Sequence, residues 1–509
     1  MRSVTHPASV ALGIATLGSL FLTGPLVSSG HDDVYHFAGS GTSLFVHVAL
    51  EVCLLWLSLT GLLWLAARVP RLFIPIWCAL LLSLPYFLLK SWASFAGIGL
   101  PHGTIPHEVA LVVVLLPALG LAISTLLWRS QVSLIFGRVQ PFAATVLGFT
   151  SLFGLVLLAR MLDYGWQARA LNATPQLHQR NLAATSLTPP PRVIWILLDE
   201  LSFQQVYEQR FPGLSLPAFD RLAAKSTVFT HTIPAGNRTT LVIPSLMTGL
   251  PDDGLRISGD GQLHALHNPT TGAWQPFDPH QTIFQDALDH GYSTALAGWY
   301  NPYCRILPQV LDRCFWTFNS TAASWNPLPL PSGLLRNKGE AATHIGDYQA
   351  LLAAGDALLA DPSSNFIFLH MPIPHPGGIF DRRRQSFTTG RSSYIDNLAL
   401  ADQYLAHVRT LLEQRGQWDT SAIIVMGDHS WRTYMWAKSP DWTPEDQAAS
   451  HGRHFDDRPA YIVKLPHQQT PAHIDTPFAA VRTRALLDAI LTNRLQTPAD
   501  LQAWAEQQP

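Results

Sequence analysis

Five long apolar runs occupy the first third of the chain and constrain its fold more than any other feature. Each run approaches or exceeds the ~20 residues that a helix needs to cross a ~30 Å hydrocarbon core. A cleaved signal peptide would explain one apolar run near the start of the chain, but not five. The sequence therefore predicts a five-helix transmembrane domain over residues 1–165. The runs lie at about residues 10–28, 44–67, 72–92, 109–128 and 142–162.

The arginines indicate the orientation of this domain. If the runs alternate in direction, five arginines fall on one side of the membrane, and the positive-inside rule makes that side cytoplasmic. We therefore expect a multi-pass protein of the inner (cytoplasmic) membrane, with everything after residue ~165 on the periplasmic or extracytoplasmic side. The net charge of −2 gives no indication of nucleic-acid binding, and we expect a monomer. The five arginines are Arg2, Arg68, Arg71, Arg129 and Arg138.

The rest of the chain predicts a linker followed by an α/β domain. Residues 166–191 are rich in Ala, Pro, Thr and Gln, which is typical of a linker. From residue 192 onward, strand-like apolar runs alternate with helical patterns, of which residues 393–412 are the clearest. Such alternation predicts a mainly parallel central sheet sandwiched by helices. We assign residues 192–509 to this exported domain.

Three predicted strands end in side chains that can bind a metal. One strand is followed by Asp199 and Glu200, the second ends at His370, and the third runs into Asp428 and His429. Oxygen and nitrogen donors suit a divalent cation, with zinc or manganese ahead of calcium or magnesium. One acid after a strand is often only a helix cap. Three such ends favour a shared site, because open α/β sheets bind ligands at the carboxyl ends of their strands.

A polar turn before an apolar helical run contains a candidate nucleophile. Thr239 and Thr240 come at the start of this run, so their hydroxyls are expected at a helix N-terminus, where exposed N–H groups favour phosphate. A threonine hydroxyl needs a base or a metal to become nucleophilic, which the acids at the strand ends could provide. The alternative is that one of the two threonines simply caps the helix.

The four cysteines are divided between the two parts of the chain. Cys53 and Cys78 lie in the apolar runs and are expected to be packing residues. Cys304 and Cys314 are close together in the exported part, where oxidation is permitted. We therefore predict that Cys304 and Cys314 form a disulfide; two free thiols are the alternative.

The order of these motifs resembles the alkaline phosphatase/sulfatase superfamily. The resemblance rests on Asp199 after a strand, a hydroxyl before a Pro-Ser-x-x-Thr-Gly segment, and the Asp428-His429 pair, and it covers about residues 192–466. Counting back from the Thr-Gly pair of the sulfatase pattern places the nucleophile at Thr239. Counting back from the proline, as in lipid A phosphoethanolamine transferases, gives the same residue. With its five apolar runs, the chain is similar to phosphoethanolamine transferases and lipoteichoic acid synthases.

The resemblance implies a metal-dependent transferase. Such an enzyme moves a phosphoethanolamine or phosphoglycerol group from a membrane phospholipid donor, through a phosphothreonine, to an envelope glycan or glycolipid. A phosphodiesterase or sulfatase-like hydrolase with the same site is the alternative. True sulfatase chemistry is disfavoured because position 239 is threonine, so the formylglycine made from Cys or Ser cannot form. A metal-free binding domain is a third hypothesis, against which the complete set of metal donors argues.

The resemblance also implies site residues. For one cation they are Asp199, Glu200, Thr239, Asp428 and His429, with a histidine before the next strand completing the site. The spacing leaves His451 and His454 open for that place; we prefer His454 as the ligand and expect His451 near the substrate. His375 is expected to bind the substrate or a second metal.

The residues that flank the nucleophile are a further expectation. Asn237 and Arg238 immediately precede Thr239 and are expected to hold phosphate oxygens. Arginine is suited to this because its planar guanidinium binds two oxygens at once. A solvated surface arginine is the alternative for Arg238.

Overall fold

The computed structural model describes two compact units. The first comprises Met1–Val34, Gly39–Ala173 and Gly259–Gly261, and the second comprises Tyr35–Ala38, Thr174–Ser258 and Gln262–Pro509. Tyr35 and His36, which come between the first two helices in the sequence, are therefore part of the second unit. The residues described are 6–27, 35–36, 41–95, 129–167, 169, 176–178, 190–258, 261–318, 333–439 and 441–507.

The described part of the first unit is helical. Three of its helical stretches, Val48–Arg68, Pro70–Leu89 and Phe136–Gln167, are long and apolar enough to cross a membrane, and Pro7–Phe21 is a shorter apolar helix. The predicted run at residues 109–128 lies outside the described residues. The helices are α1 (Pro7–Val27), α2 (Gly41–Arg68), α3 (Pro70–Phe95) and α4 (Arg129–Gln167).

Burial in this unit is typical of helices in lipid. The inner side chains Ala11 and Trp77 are fully buried, whereas large apolar side chains such as Leu57, Phe149 and Phe153 are more than 60% exposed. A soluble helix would turn polar residues to solvent at such positions. The three long helices therefore indicate association with a membrane.

The second unit is an α/β domain built on a mixed eight-stranded sheet. The strand order is β14-β2-β13-β12-β1-β9-β7-β8, and within this sheet β13 runs antiparallel to both of its neighbours, so the sheet is not wholly parallel. The strands are β1 (Val193–Leu198), β2 (Thr227–Phe229), β3 (Thr232–Ile233), β4 (Gly254–Ile257), β5 (Leu263–Asn268), β6 (Ala273–Pro276), β7 (Thr294–Trp299), β8 (Arg313–Thr317), β9 (Phe366–Met371), β10 (Phe380–Asp381), β11 (Ser386–Phe387), β12 (Ala422–Met426), β13 (Tyr461–Lys464), β14 (Ala472–Ile474) and β15 (Phe478–Ala479).

Strand β1 is the centre of this domain because both of its faces are apolar. Ile194 and Ile196 face one buried cluster, while Trp195 and Leu197 face another on the opposite side of the sheet. A strand buried on both faces reads as a continuous apolar run, which is how the sequence revealed it. Strands β4–β6 form a separate three-stranded sheet, and β10-β11 and β15-β3 are two-stranded.

Helices cover both faces of the sheet. The predicted helix at residues 393–412 is confirmed: it begins at Tyr394, where Ser393 and Asp396 form a reciprocal capping box. The helices of this unit are α5 (Pro217–Ala223), α6 (Thr239–Thr248), α7 (Ile283–Asp289), α8 (Tyr303–Ile306), α9 (Gly333–Ala360), α10 (Tyr394–Gln414), α11 (Thr433–Trp436), α12 (Pro444–Ala449), α13 (Thr483–Leu491) and α14 (Pro498–Glu506).

Candidate active site

Three adjacent strands bring their terminal side chains to one edge of the sheet. Strand β1 pairs in parallel with β12 on one side and β9 on the other, so the carboxyl ends of all three meet. Asp199 follows β1, His370 lies near the end of β9, and Asp428 and His429 follow β12. All four side chains are buried, with at most 2% of their surface exposed. The predicted convergence of the strand ends is present.

Backbone features on both sides of this edge hold the acids in place. A Cβ atom on Gly427 would lie 2.7 Å from the carbonyl oxygen of Leu201, so glycine allows the end of β12 to approach the turn after β1. Glu200 has a left-handed backbone, with φ of 62°. Its amide N–H donates to Oδ1 of Asp428 at 2.9 Å, which ties the two strand ends together.

The hydroxyl of Thr239 lies among these side chains. Helix α6 begins at Thr239 without a side-chain cap at Arg238. Thr239 Oγ1 is 2.7 Å from Oδ2 of Asp428, 3.4 Å from Oδ2 of Asp199 and 3.4 Å from Nε2 of His429. The hydroxyl is therefore within 3.4 Å of three side chains that can bind a metal.

Burial and charge act differently on the two aspartates. Burial, together with repulsion from Asp428 and Glu200, raises the pKa of Asp199 well above its usual range. Burial also acts to raise the pKa of Asp428, but His429, the Glu200 amide, His370 and the Thr239 hydroxyl together outweigh it and hold that pKa below its usual value. Two buried carboxylates this close repel each other unless a cation or a proton lies between them.

The polar atoms of this cluster fit a divalent cation. Ligand atoms of Asp199, Asp428 and His429 all lie within 4.8 Å of one another. Oδ1 of Asp199 and Nε2 of His370 are buried, and neither has a hydrogen-bond partner among the described residues. Buried polar atoms without partners are costly. A cation bound by these carboxylates and imidazoles would satisfy them, and a carboxylate–imidazole set suits zinc or manganese. We call these side chains together the Thr239 site: Thr239, Asp199, Asp428, His429 and His370.

Glu200 forms an ion pair with Arg432 that the sequence did not indicate. Its carboxylate accepts hydrogen bonds from the guanidinium and backbone amide of Arg432 and from the indole N–H of Trp436, at 2.9 Å. Burial acts to raise the pKa of Glu200, but Arg432, His429, His375 and the Trp436 hydrogen bond together outweigh it and hold that pKa below its usual value. The charge of Glu200 is therefore compensated by arginine within the protein.

His375 lies next to this ion pair. Asp199, Glu200 and His375 form a second group of metal-type donors, with ligand atoms within 4.8 Å of one another. The His375 ring is 5.0 Å from the Trp436 ring, and Nδ1 is 2.8 Å from the carbonyl oxygen of Pro376. Burial lowers the pKa of His375 to about 4, so the imidazole is neutral at neutral pH.

The other expected site residues lie on the surface. Asn237 and Arg238 are exposed, and the carbonyl oxygen of Asn237 accepts a hydrogen bond from Arg432 at 2.9 Å. His451 and His454 are also exposed, and among the described residues neither belongs to a group of metal-type donors. The structure thus does not bring His454 to the Thr239 site. His370, which was expected only at the end of a strand, lies at the Thr239 site instead, with Nε2 3.4 Å from Oδ2 of Asp199.

His370 is held by a tyrosine on the far side of its ring. Nδ1 is 2.6 Å from the hydroxyl of Tyr303, while Nε2 is 3.4 Å from Oδ2 of Asp199. Burial lowers the pKa of His370 to about 4. The position of His370 at the end of β9 is a sequence signal for a role in the site. Tyr303 has no such signal, because it lies in the short helix α8 and contacts β9 only in the folded protein.

The predicted disulfide is confirmed. Cys304 and Cys314 are bonded, 10 residues apart, and they link α8 to β8. Cys53 and Cys78 are free and half-buried in the helices of the first unit.

Comparisons with known proteins place this site in a family context. The family model described as Sulfatase matches residues 191–476. Arylsulfatase J of Mus musculus is 24% identical over 281 residues, which are 50% of this chain and 45% of that protein, so the chain spans less than half of the relative's length. A phosphonate monoester hydrolase of Agrobacterium radiobacter gives a TM-score of 0.39 at 15% identity, over 60% of this chain and 74% of that one. A second phosphonate monoester hydrolase, from Silicibacter pomeroyi, gives 0.39 at 13% identity, over 60% and 73%.

Proposed function

The chain belongs to the sulfatase family, and from that premise we propose that it is a membrane-anchored transferase of phospho-substituents. As a member of this family it is an enzyme of the alkaline phosphatase/sulfatase superfamily, whose members depend on metals. The proposed reaction moves a phosphoethanolamine or phosphoglycerol group from a membrane phospholipid to an envelope glycan or glycolipid. The apolar helices of the first unit support a lipid donor.

One observation carries this proposal. The side chain at the centre of the site is a threonine, whose hydroxyl donates to Asp428 at 2.7 Å and faces Asp199 and His429. Threonine cannot be converted to the formylglycine that sulfate-ester cleavage uses in sulfatases. A threonine hydroxyl activated by its neighbours is instead suited to attack phosphorus and form a phosphothreonine.

The residues of the site account for both halves of a transfer. In the first, Thr239 Oγ bonds to the phosphorus of the donor while the bond from phosphorus to the diacylglycerol oxygen breaks. The hydroxyl proton leaves along the hydrogen bond to Asp428, and the leaving oxygen takes up one proton, so protons balance. In the second half, an acceptor hydroxyl attacks the same phosphorus while the bond from phosphorus to Thr239 Oγ1 breaks. The acceptor hydroxyl gives up one proton and Thr239 Oγ1 takes up one along its hydrogen bond with Asp428, so protons balance again.

The protein supplies the geometry of these steps. Asp199, Asp428, His429 and His370 would hold the cation, for which we propose zinc or manganese. When bound, a divalent cation there supplies charge that lowers the pKa of the Thr239 hydroxyl and neutralises the phosphoryl oxygens. Arg432 forms an ion pair with Glu200. Arg238 is exposed and directly precedes the nucleophile, so its guanidinium can contact an anionic substrate.

Hydrolysis is the second candidate function. The adjacent acids Asp199 and Glu200 are more like those of sulfatases than those of the transferases, and the related protein from mouse is an arylsulfatase by name. The same phosphothreonine would then be resolved by water instead of a sugar hydroxyl. The two functions differ only in the acceptor of the second step.

Location is part of the proposal. We propose a multi-pass protein of the inner membrane with the α/β unit on the periplasmic side, which the distribution of arginines supports. An alkaline phosphatase reporter fused after Pro509 should be active in cells, whereas a cytoplasm-dependent fluorescent reporter at the same place should be dark. The opposite pattern would contradict the orientation.

Mass spectrometry of envelope glycolipids tests the function. Cells with the wild-type gene should contain species heavier by one phosphoethanolamine or phosphoglycerol unit than cells without it. Cells that carry Thr239→Ala are the matched control and should resemble the deletion. Identical glycolipids in all three strains, with release of free phosphoester by the purified wild type, would favour the hydrolase instead.

A further inference from the structure

Two residues between the first two helices are built into the α/β unit. Tyr35 and His36 both belong to the second unit, and their side chains are 0% and 6% exposed. Tyr35 is part of the apolar cluster that also contains Trp195 and Tyr303, and its carbonyl oxygen accepts a hydrogen bond from Arg305 at 3.0 Å. This segment is thus a structural component of the catalytic unit, although it lies more than 150 residues before the first strand of its sheet.

His36 bridges the loop after β7 to the first turn of α6. Its Nδ1 lies 2.9 Å from the carbonyl oxygen of Tyr300, and its Nε2 lies 3.3 Å from the hydroxyl of Thr240. The rings of His36 and Tyr300 are 4.1 Å apart. Through these contacts His36 holds the residue that directly follows the nucleophile.

The same loop holds the nucleophile from a second point. Asn301 is fully buried, and its side-chain amide donates to the carbonyl oxygen of Thr239 at 3.4 Å. Thr239 is therefore fixed directly to the segment Tyr300–Asn301. Thr240 is fixed to it through His36 and also through a side-chain hydrogen bond with Tyr300. Helix α6 has no side-chain cap at Arg238, so these contacts take the place of a capping side chain in orienting its first turn.

The hydrogen bonds specify one tautomer of His36. A carbonyl oxygen can only accept, so Nδ1 must carry the proton that is donated to Tyr300. Burial lowers the pKa of His36 to about 4, so the imidazole is neutral at neutral pH and carries a single proton. Nε2 is then bare and accepts a hydrogen bond that the Thr240 hydroxyl donates. His36 thereby sets the direction of the Thr240 hydroxyl, next to the hydroxyl that attacks the substrate.

We propose that His36 is a positioning residue for the nucleophile. It comes from the segment between α1 and α2, and it orients the first turn of α6 through Thr240 so that the Thr239 hydroxyl points at Asp428. The proposal rests on Thr239 being the nucleophile of the proposed function. It implies that the unit matched by the sulfatase family, residues 191–476, is catalytically incomplete without residues from the N-terminal part of the chain.

Kinetics of the full-length protein test this role. With bis(p-nitrophenyl) phosphate as the probe, His36→Ala should lower kcat about tenfold, the size of effect that one hydrogen bond can have on a rate, and leave KM nearly unchanged. His178→Ala is the matched control, because His178 also precedes residue 191 but contacts Asp312 instead, at 2.7 Å, and it should keep wild-type kcat.

Chemical rescue separates positioning from a general loss of structure. Added imidazole has one donor and one acceptor and should restore part of the kcat of His36→Gly, whereas 1-methylimidazole has no N–H and should not. Wild-type kcat in His36→Ala would overturn the proposal. The proposal would also be overturned if kcat fell in proportion to a lower melting temperature and added imidazole did not restore it.

A tautomer measurement keeps the test separate from the proposed function. If the wild-type protein does not turn over the phosphodiester, the proposed function fails by that result alone. Nitrogen-15 spectra of histidine-labelled protein, with His36→Asn identifying the signal, should still show a protonated Nδ1 and a bare Nε2. The Nε2 signal should shift in Thr240→Val. A protonated Nε2, or a signal indifferent to Thr240→Val, would overturn the role of His36.

Discussion

The hydroxyl of Thr239 lies 2.7 Å from Oδ2 of Asp428, although 189 residues separate them in the chain. Asp428 is the residue after Gly427, and Gly427 permits the close approach of β12 to the turn that follows β1. The position of the acid relative to the hydroxyl is therefore determined by the sheet, and the position of the hydroxyl by the start of α6. The carboxylate of Asp428 and the hydroxyl of Thr239 can therefore be removed by separate substitutions.

The first prediction concerns the nucleophile. Thr239→Ala should lower turnover of a phosphodiester by roughly 1000-fold or more, because no covalent intermediate can form. Thr240→Ala removes a hydrogen bond worth about 1 kcal/mol and should cost no more than about tenfold in rate. A mass increase of one phospho-substituent on the peptide containing Thr239, trapped without acceptor, would identify the intermediate. Full activity in Thr239→Ala would refute the covalent route.

The second prediction concerns metal binding. Asp428→Asn removes an anionic ligand and should lower metal affinity by more than the roughly 10–100-fold that loss of a supporting hydrogen bond costs. Glu200→Gln is the comparison, because Glu200 is paired with Arg432 and should not be a ligand of the Thr239 site. Elemental analysis of both purified variants, per folded molecule, measures this. Equal loss of metal in the two would show that Glu200 is a ligand after all.

The third prediction concerns the disulfide. Replacing both Cys304 and Cys314 by alanine should lower the free energy of unfolding by about 3 kcal/mol, because the bond closes a loop of about ten residues. Thermal melting with and without reductant measures this: the wild type should lose stability in reductant and the variant should not. Cys53→Ala with Cys78→Ala, which leaves the bond intact, should keep the sensitivity to reductant.

The fourth prediction concerns the pH dependence of stability. Burial raises the pKa of Asp252 to about 8, although Ser245 donates a hydrogen bond to it. The folded protein therefore holds a proton that the unfolded chain has lost, and Asp252 makes stability fall as pH rises from about 4 to about 8. Asp252→Asn stays neutral and should show a smaller fall in melting temperature over that range.

A matched exposed acid serves as the control for this effect. The amide and side chain of His280 lower the pKa of Asp278, which therefore titrates below this range. Asp278→Asn should keep the wild-type pH dependence between about pH 5 and pH 8. If Asp252→Asn also keeps it, Asp252 is not the group responsible.

Local patterns predicted the parts of the site that strands deliver. Asp199, Asp428 and His429 were found from the sequence because each follows an apolar strand, and strand ends in a largely parallel sheet meet. Thr239 was found because a polar turn comes directly before a helical run. These inferences needed only the neighbouring residues and the periodicity of the chain.

Contacts between distant segments escaped the sequence. The carboxylate of Glu200 pairs with Arg432, and no local pattern encodes a partner 232 residues away. The position of His454 before β13 favours it as a ligand, but the segment that carries it lies on the surface. His36 carries no such signal, because a residue between two apolar runs gives no sign that it belongs to the α/β unit.

The strand order β12-β1-β9 has a consequence for how the protein matures. Strand β1, which Asp199 follows, can pair with its neighbours only after residues 366–371 and 422–426 have been synthesised. Long loops must close before these contacts form, which makes such folding slow. A partly synthesised chain therefore lacks the assembled cluster of Asp199, Asp428 and His429, and the enzyme is silent until β12 has joined the sheet.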